Sequence, residues 1–259
     1  LTGWRACSGG LVYVGHAKTA LLNATKSVVF EGGKAERGGG LTAWGSKSTI
    51  WMGAGSVVKG NYANYGGGGA LVLYSSTLTT VNSVIHSNTA GSVGGGVYLR
   101  LSKTLSMTDS IVRDNTASNS GGGVHAISSL LINLISTLFL ANTAKQGSGG
   151  GAYVSVPTTV RIADSTFQHN IATGTIRSQG GGLILFEVRT SLALKNTSFE
   201  SNSVESGAAA ITKIADFFQA SGGGLHLASI PGTTTCTLSG LSFVSNTVIG
   251  HGGGATLVD

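Results

Sequence analysis

Several side chains in this chain have the right chemistry for a reaction, and their spacing decides whether they meet. Asp109 and Asp164 hold equivalent places: each lies three residues before an apolar residue, which is itself followed three residues later by Asn. Paired carboxylates of this kind serve as general acid and base, and a separation of about 6.5–9.5 Å suits an inverting glycoside hydrolase. Ser136 occupies the equivalent place between them, and Asp, Asn and Ser are common turn residues, so the turn reading is favoured. Asp114 and Glu200 follow the apolar landmark on distant segments. The six histidines are dispersed, without zinc spacing. Gly32-Gly33-Lys34 is followed by Ala35, so no phosphate-binding loop forms. No Asp recurs as calcium-binding nonapeptides require. Three rings, Tyr98, His125 and Tyr153, recur at one place and form a candidate glycan-stacking face. Cross-strand packing is the favoured alternative for them. Asn23-Ala24-Thr25 and Asn196-Thr197-Ser198 match the N-glycosylation pattern.

The elements that position these residues follow from an internal repeat. Glycine runs occur at Gly9-Gly10, Gly38 to Gly40, Gly66 to Gly69, Gly94 to Gly96, Gly121 to Gly123, Gly149 to Gly151, Gly180 to Gly182, Gly222 to Gly224 and Gly252 to Gly254. A second landmark keeps the same beat. It is an apolar residue followed by Asn: Val58 with Asn61, Ile85 with Asn88, Val112 with Asn115, Phe139 with Asn142, Phe167 with Asn170, Phe199 with Asn202 and Phe243 with Asn246. An earlier copy has Phe30, with Gly33 in the Asn place.

After each run the first and third residues are apolar, as in Val97 and Leu99 or Leu183 and Leu185, while the residue between them varies. In the first repeat this pattern reads Leu11 and Tyr13. Alternation with one apolar face marks a strand. A unit with two or three short strands cannot bury that face alone, so the repeats must stack. Stacking in register turns the asparagines into a structural ladder of amide hydrogen bonds. The glycines mark a corner needing positive φ or close backbone approach. Amphipathic helices and leucine-rich spacing are absent, and the period is too short for a propeller blade. The expected fold is all-β: one right-handed, single-stranded parallel β-helix (a β-solenoid) spanning 1–259, with about nine coils of roughly 28 residues. An irregular insertion at about 203–221 should bulge from its side. Phe217 and Phe218 there either pack back on the stack or engage a neighbour.

The pairing of Gly-Gly-hydrophobic with Phe-x-x-Asn, as in Phe167 to Asn170 before Gly180-Gly181-Gly182-Leu183, resembles the repeats of chlamydial polymorphic outer-membrane proteins. Such repeats belong to the pectin-lyase-like β-helix superfamily. The resemblance covers nearly the whole chain, and implies secretion and an adhesive or surface-structural role. The chlamydial proteins carry a C-terminal membrane barrel that has no counterpart here. The superfamily also contains polysaccharide lyases, hydrolases and epimerases. Gly250-His251-Gly252 matches a polygalacturonase tripeptide, but the accompanying Asn-x-Asp, Asp-Asp and Arg-x-Lys motifs are missing.

Composition narrows the classes further. Only 10% of residues are charged against 41% hydrophobic, so Ser, Thr, Asn and Gly must cover the surface. The net charge is +6, but the 16 basic residues are scattered, which argues against a nucleic-acid stripe. The most apolar stretch, Leu130 to Leu140, is interrupted by Asn133, Ser136 and Thr137 and is too short to span a bilayer. Cys7 and Cys236 lie at opposite ends of the array, roughly 35–40 Å apart at about 4.8 Å per coil, so they should not pair with each other. Leu1 in place of Met predicts a processed N-terminus or an excerpt. Ends lying inside the repeat predict contacts with copies of the chain or other surface proteins, through the coil ends or the insertion. The expectation is an extracellular, non-catalytic structural or adhesive protein, without cofactor or metal. A polysaccharide-active enzyme and a glycan-binding module are the alternatives.

Overall fold

The structure is a computed structural model describing residues 5–15, 20–174, 178–206, 222–248 and 255–258. The described residues form 34 strands, all short, and every pairing between them is parallel. They form four sheets that run along the molecule, two of eight strands and two of nine. Each coil therefore has four strands rather than two or three, and the stack has eight complete coils and half of another. It is a right-handed parallel β-helix. Among the described residues there is no helix, so none is long and apolar enough to cross a membrane.

One coil shows the plan. Sheet 1 takes the five-residue strand Thr104–Thr108, sheet 2 the strand Ile111–Arg113, sheet 3 the two-residue strand Thr116–Ala117 and sheet 4 the strand Val124–Ile127. In sheet 1 Leu105 and Met107 point inward and are fully buried, while Thr104, Ser106 and Thr108 face out. In sheet 2 only the central residue is buried, which is the apolar landmark of the sequence. These landmarks form one ladder from Phe30 through Val58, Ile85 and Val112 to Phe139, Phe167, Phe199 and Phe243. The four consecutive phenylalanines stack nearly parallel, with centroids 4.6, 5.2 and 5.1 Å apart. A single coil cannot hide such rings. Stacked at a strand spacing of about 4.8 Å, each ring covers the next.

The asparagine ladder links successive coils. Asn115 is typical: its backbone N–H and Nδ2 both donate to Asn142 Oδ1, at 3.1 and 3.0 Å. Its Nδ2 also donates to Ile85 O, and its own Oδ1 accepts from Asn88 N and Nδ2. The same bonds run from Asn61 through Asn170 and Asn202 to Asn246. Gly33 holds the first place, and its N–H donates to Asn61 Oδ1 at 2.8 Å. Each amide sits inside a corner, where an unsatisfied polar group would be costly.

The glycine corner meets both demands placed on it. Gly94 adopts φ +64, and a Cβ there would sit 2.8 Å from Tyr98 Cβ. A Cβ on Gly95 would collide with the backbone carbonyls of Gly122 and Thr116, and one on Gly96 would lie 2.6 Å from Gly123 O. The first glycine is thus needed for its φ and the next two because adjacent coils touch there. The other corners turn on left-handed residues: Asp109 (φ 48) and Asp164 (φ 52) at one, Asp114 (φ 54) and Ser87 (φ 54) at the next, Leu101 (φ 51) and Ser128 (φ 52) at the last.

Two expectations need correction. In the first repeat Val12 and Val14, not Leu11 and Tyr13, take the inward places, because Val12 pairs with Leu41 and Val14 with Ala43. Only two glycines precede Leu11 there, and Leu11 fills the place of the third glycine, Gly40. Ser203–Ser206 is a regular strand of sheet 3 rather than part of a bulge. The remaining insertion with Phe217 and Phe218, the run Gly252 to Gly254, and His251 lie outside the described residues.

Candidate functional site

The three sequence-predicted rings do form one column. Sheet 4 pairs Leu71 with Tyr98, Tyr98 with His125, His125 with Tyr153, and continues to Ile184 and His226. His125 stacks on Tyr153 with centroids 4.7 Å apart and planes 7° from parallel. Tyr98 meets His125 edge-on at 5.5 Å. The column is not open, however. Tyr98 and His125 are each 5% exposed and Tyr153 is half-buried. The glycine run before each strand arches back over the outward residue, which is why a Cβ on Gly94 or Gly121 would meet Tyr98 or His125. The rings spend their faces on one another and on this arch, the arrangement expected of cross-strand packing.

Burial also sets the electrostatics of the column. It pushes the His125 imidazole down to about 4, against the opposing pull of a hydrogen bond to the Ser120 backbone, and its Nδ1 has no partner. Burial likewise lowers His226 to about 4. Tyr98 is raised, first by burial and then by Tyr65 nearby. Both histidines are therefore neutral at pH 7.

Three of the four carboxylates singled out in the sequence have partners of their own. Asp164 Oδ1 accepts a hydrogen bond from Asn196 Nδ2 at 2.9 Å, Asp114 pairs with the neighbouring Arg113, and Glu200 accepts from Ser198 and Gln168. Asp109 and Asp164 both sit at left-handed corner positions, as turn residues do. Among the described residues no three His, Cys, Asp or Glu side chains gather as a metal site would require. Of the sequons, Asn23 faces outward and exposed beside Trp51. The Asn196 amide nitrogen, the atom a glycan would take, is engaged by Asp164. Cys236 is exposed with a free thiol.

A four-sided stack with ladder corners is a β-helix in its plainest form, and the comparison with known families agrees. The family described as Periplasmic copper-binding protein (NosD) matches residues 23–216, well over half of the chain. The chain belongs to that family. NosD proteins are β-helices of the pectin-lyase-like type, so the fold expected from the repeats and the family agree. No curated protein and no solved structure matches the chain.

Large apolar residues also stand at one corner of the stack. At the corner between sheets 4 and 1, Tyr74, Leu101 and Val156 occupy the left-handed place held by Ser128 and Ser229 in other coils. Nearby, Trp44 packs its ring against Tyr74, with centroids 5.2 Å apart. The signal was present as large apolar residues in a column otherwise polar. It lay one residue past the strands, where the period-two pattern stops.

Proposed function

We propose that this protein is a non-catalytic, extracellular or cell-surface β-helix scaffold with a structural or adhesive role, a component of a surface fibre. The observation that carries this reading is the uninterrupted register of the Asn and apolar ladders from coil to coil. From Asn61 to Asn246 the coils repeat the same ladder roles. The likeness of the Phe-x-x-Asn and Gly-Gly repeats to chlamydial surface proteins supports adhesion. Membership of a family described as periplasmic supports a place outside the cytoplasm.

The family's description also carries copper. The described side chains do not suit it. Met52 and Met107, whose thioethers are soft enough for copper(I), are fully buried in the core and separated by Thr80 of the intervening coil. His125 and His226 are separated along their column by Tyr153 and Ile184. No step of function is routed through copper.

Negative-stain microscopy of the purified chain, paired with incubation on polyuronates, tests the proposal. Filaments without polymer cleavage are expected. Dispersed particles that cleave the polymer would overturn it in favour of a polysaccharide-active enzyme.

A further inference from the structure

The corner between sheets 4 and 1 carries large apolar side chains that stand exposed. Tyr74 (φ 53) and Leu101 (φ 51) stand in the left-handed region, which costs an L-residue with a bulky side chain roughly 1–2 kcal/mol. Ser128 and Ser229 show that a small polar residue serves the same turn. The turn is held from within by serines: Ser102 and Ser129 are buried, and their hydroxyls lie 2.8 Å apart. The apolar side chains point the other way. Tyr74 is 42% exposed, Leu101 47% and Leu130 56%. Leu130 follows the neighbouring turn, directly above Lys103 in register, since Leu131 pairs with Thr104. Trp44 joins the stripe through Tyr74.

Basic side chains flank this stripe. Arg100 precedes Leu101, Lys103 follows it, and Lys47 lies on the same corner; all three are exposed. The nearest carboxylate along the corner is Glu187, one coil beyond Val156. Consecutive coils place these groups in a line about 4.8 Å per step, so Trp44 to Val156 spans roughly 20 Å of straight edge.

We propose that this corner docks the protein on a lipid surface bearing anionic headgroups. Leucine side chains offer no hydrogen bond to a sugar, but they do gain from entering the acyl boundary. Tyr and Trp suit the interface depth, and Lys and Arg suit anionic headgroups. The β-helix would lie along the surface with its axis parallel to it, spanning nothing. This inference does not depend on the adhesive reading above.

Co-sedimentation with vesicles of phosphatidylcholine alone, or with about one-third phosphatidylglycerol, tests it. Binding to the anionic vesicles is expected, weakening as salt rises. Leu101→Asn/Leu130→Asn should weaken binding roughly tenfold or more, from the apolar area lost. Arg100→Glu/Lys103→Glu should weaken it roughly thirtyfold or more. Circular dichroism and melting of both variants, expected to match the parent, show that they fold. Absence of binding to anionic vesicles, or equal binding by the leucine double variant, would overturn the proposal. So would retention on an acidic polysaccharide with no affinity for vesicles, which would assign the corner to a glycan.

Discussion

The inside of the coil stack and the corner between sheets 4 and 1 follow opposite rules. Inside, the repeated residues are explained by what they touch: Asn115 makes bonds up and down the ladder, and Phe167 is covered by Phe139 and Phe199. At the corner, Leu101 is exposed and held in a conformation that disfavours it. Where packing explains a residue, its role is stability. Where packing and backbone both argue against a residue, as at Leu101, the proposed role is contact with a lipid surface.

The sharpest way to test the inner half of that contrast is to cut the ladder. Asn115→Ala would leave Asn88 N and Nδ2 without their acceptor and Ile85 O without its donor, all buried. A loss of about 4 kcal/mol is expected by chemical denaturation, since each orphaned buried group costs about 1–3 kcal/mol. Asn246→Ala, at a half-exposed end of the ladder, should cost much less. Equal losses would mean that the ladder is not what joins the coils.

Next in size is the buried imidazole. Folded His125 is held near 4, well below the unfolded value of about 6.5. Unfolding therefore takes up a proton between those values. Stability should fall as pH drops from about 6.5 towards 4, by up to about 3 kcal/mol from this group, and be flat above that window. His226 adds in the same direction. Melting curves of the parent and of His125→Phe across this range isolate the effect: the variant should show the shallower acid loss. Identical slopes would show that the ring is not held neutral.

Gly95→Ala tests coil-to-coil contact, because its Cβ would strike the Gly122 and Thr116 carbonyls. A loss of about 2 kcal/mol is expected from overpacking against backbone. A neutral substitution would mean that the coils yield more readily than their spacing implies.

Much of the inner region was legible in the sequence because stacking forces chemistry to repeat. The amide of Asn88 works only if Asn61 and Asn115 sit above and below it, so the ladder appears as a period. The Phe landmarks and glycine runs are readable for the same reason. Other features had no such signature. Strands as short as Thr89–Ala90 show no alternation, which hid the fourth side of the coil. The first repeat was misread by one residue because Leu11 replaces a glycine. The Tyr98, His125 and Tyr153 column was found, but its burial was not. It depends on how the glycine turn folds back over the sheet, and no residue spacing records that. The apolar corner was missed because its members differ from coil to coil, as residues chosen for contact rather than stacking do.

The smallest expected change is the most direct test of the account. Leu101→Asn replaces an exposed apolar side chain in the left-handed region by the residue that tolerates it best after glycine. If stability is carried inside the stack and the corner is kept for contact, the melting temperature should be unchanged or rise by about 1–2 °C. A fall of more than about 4 °C, corresponding to roughly 1–2 kcal/mol in a chain of this size, would show that Leu101 belongs to the packing after all, and would contradict the division between the two regions.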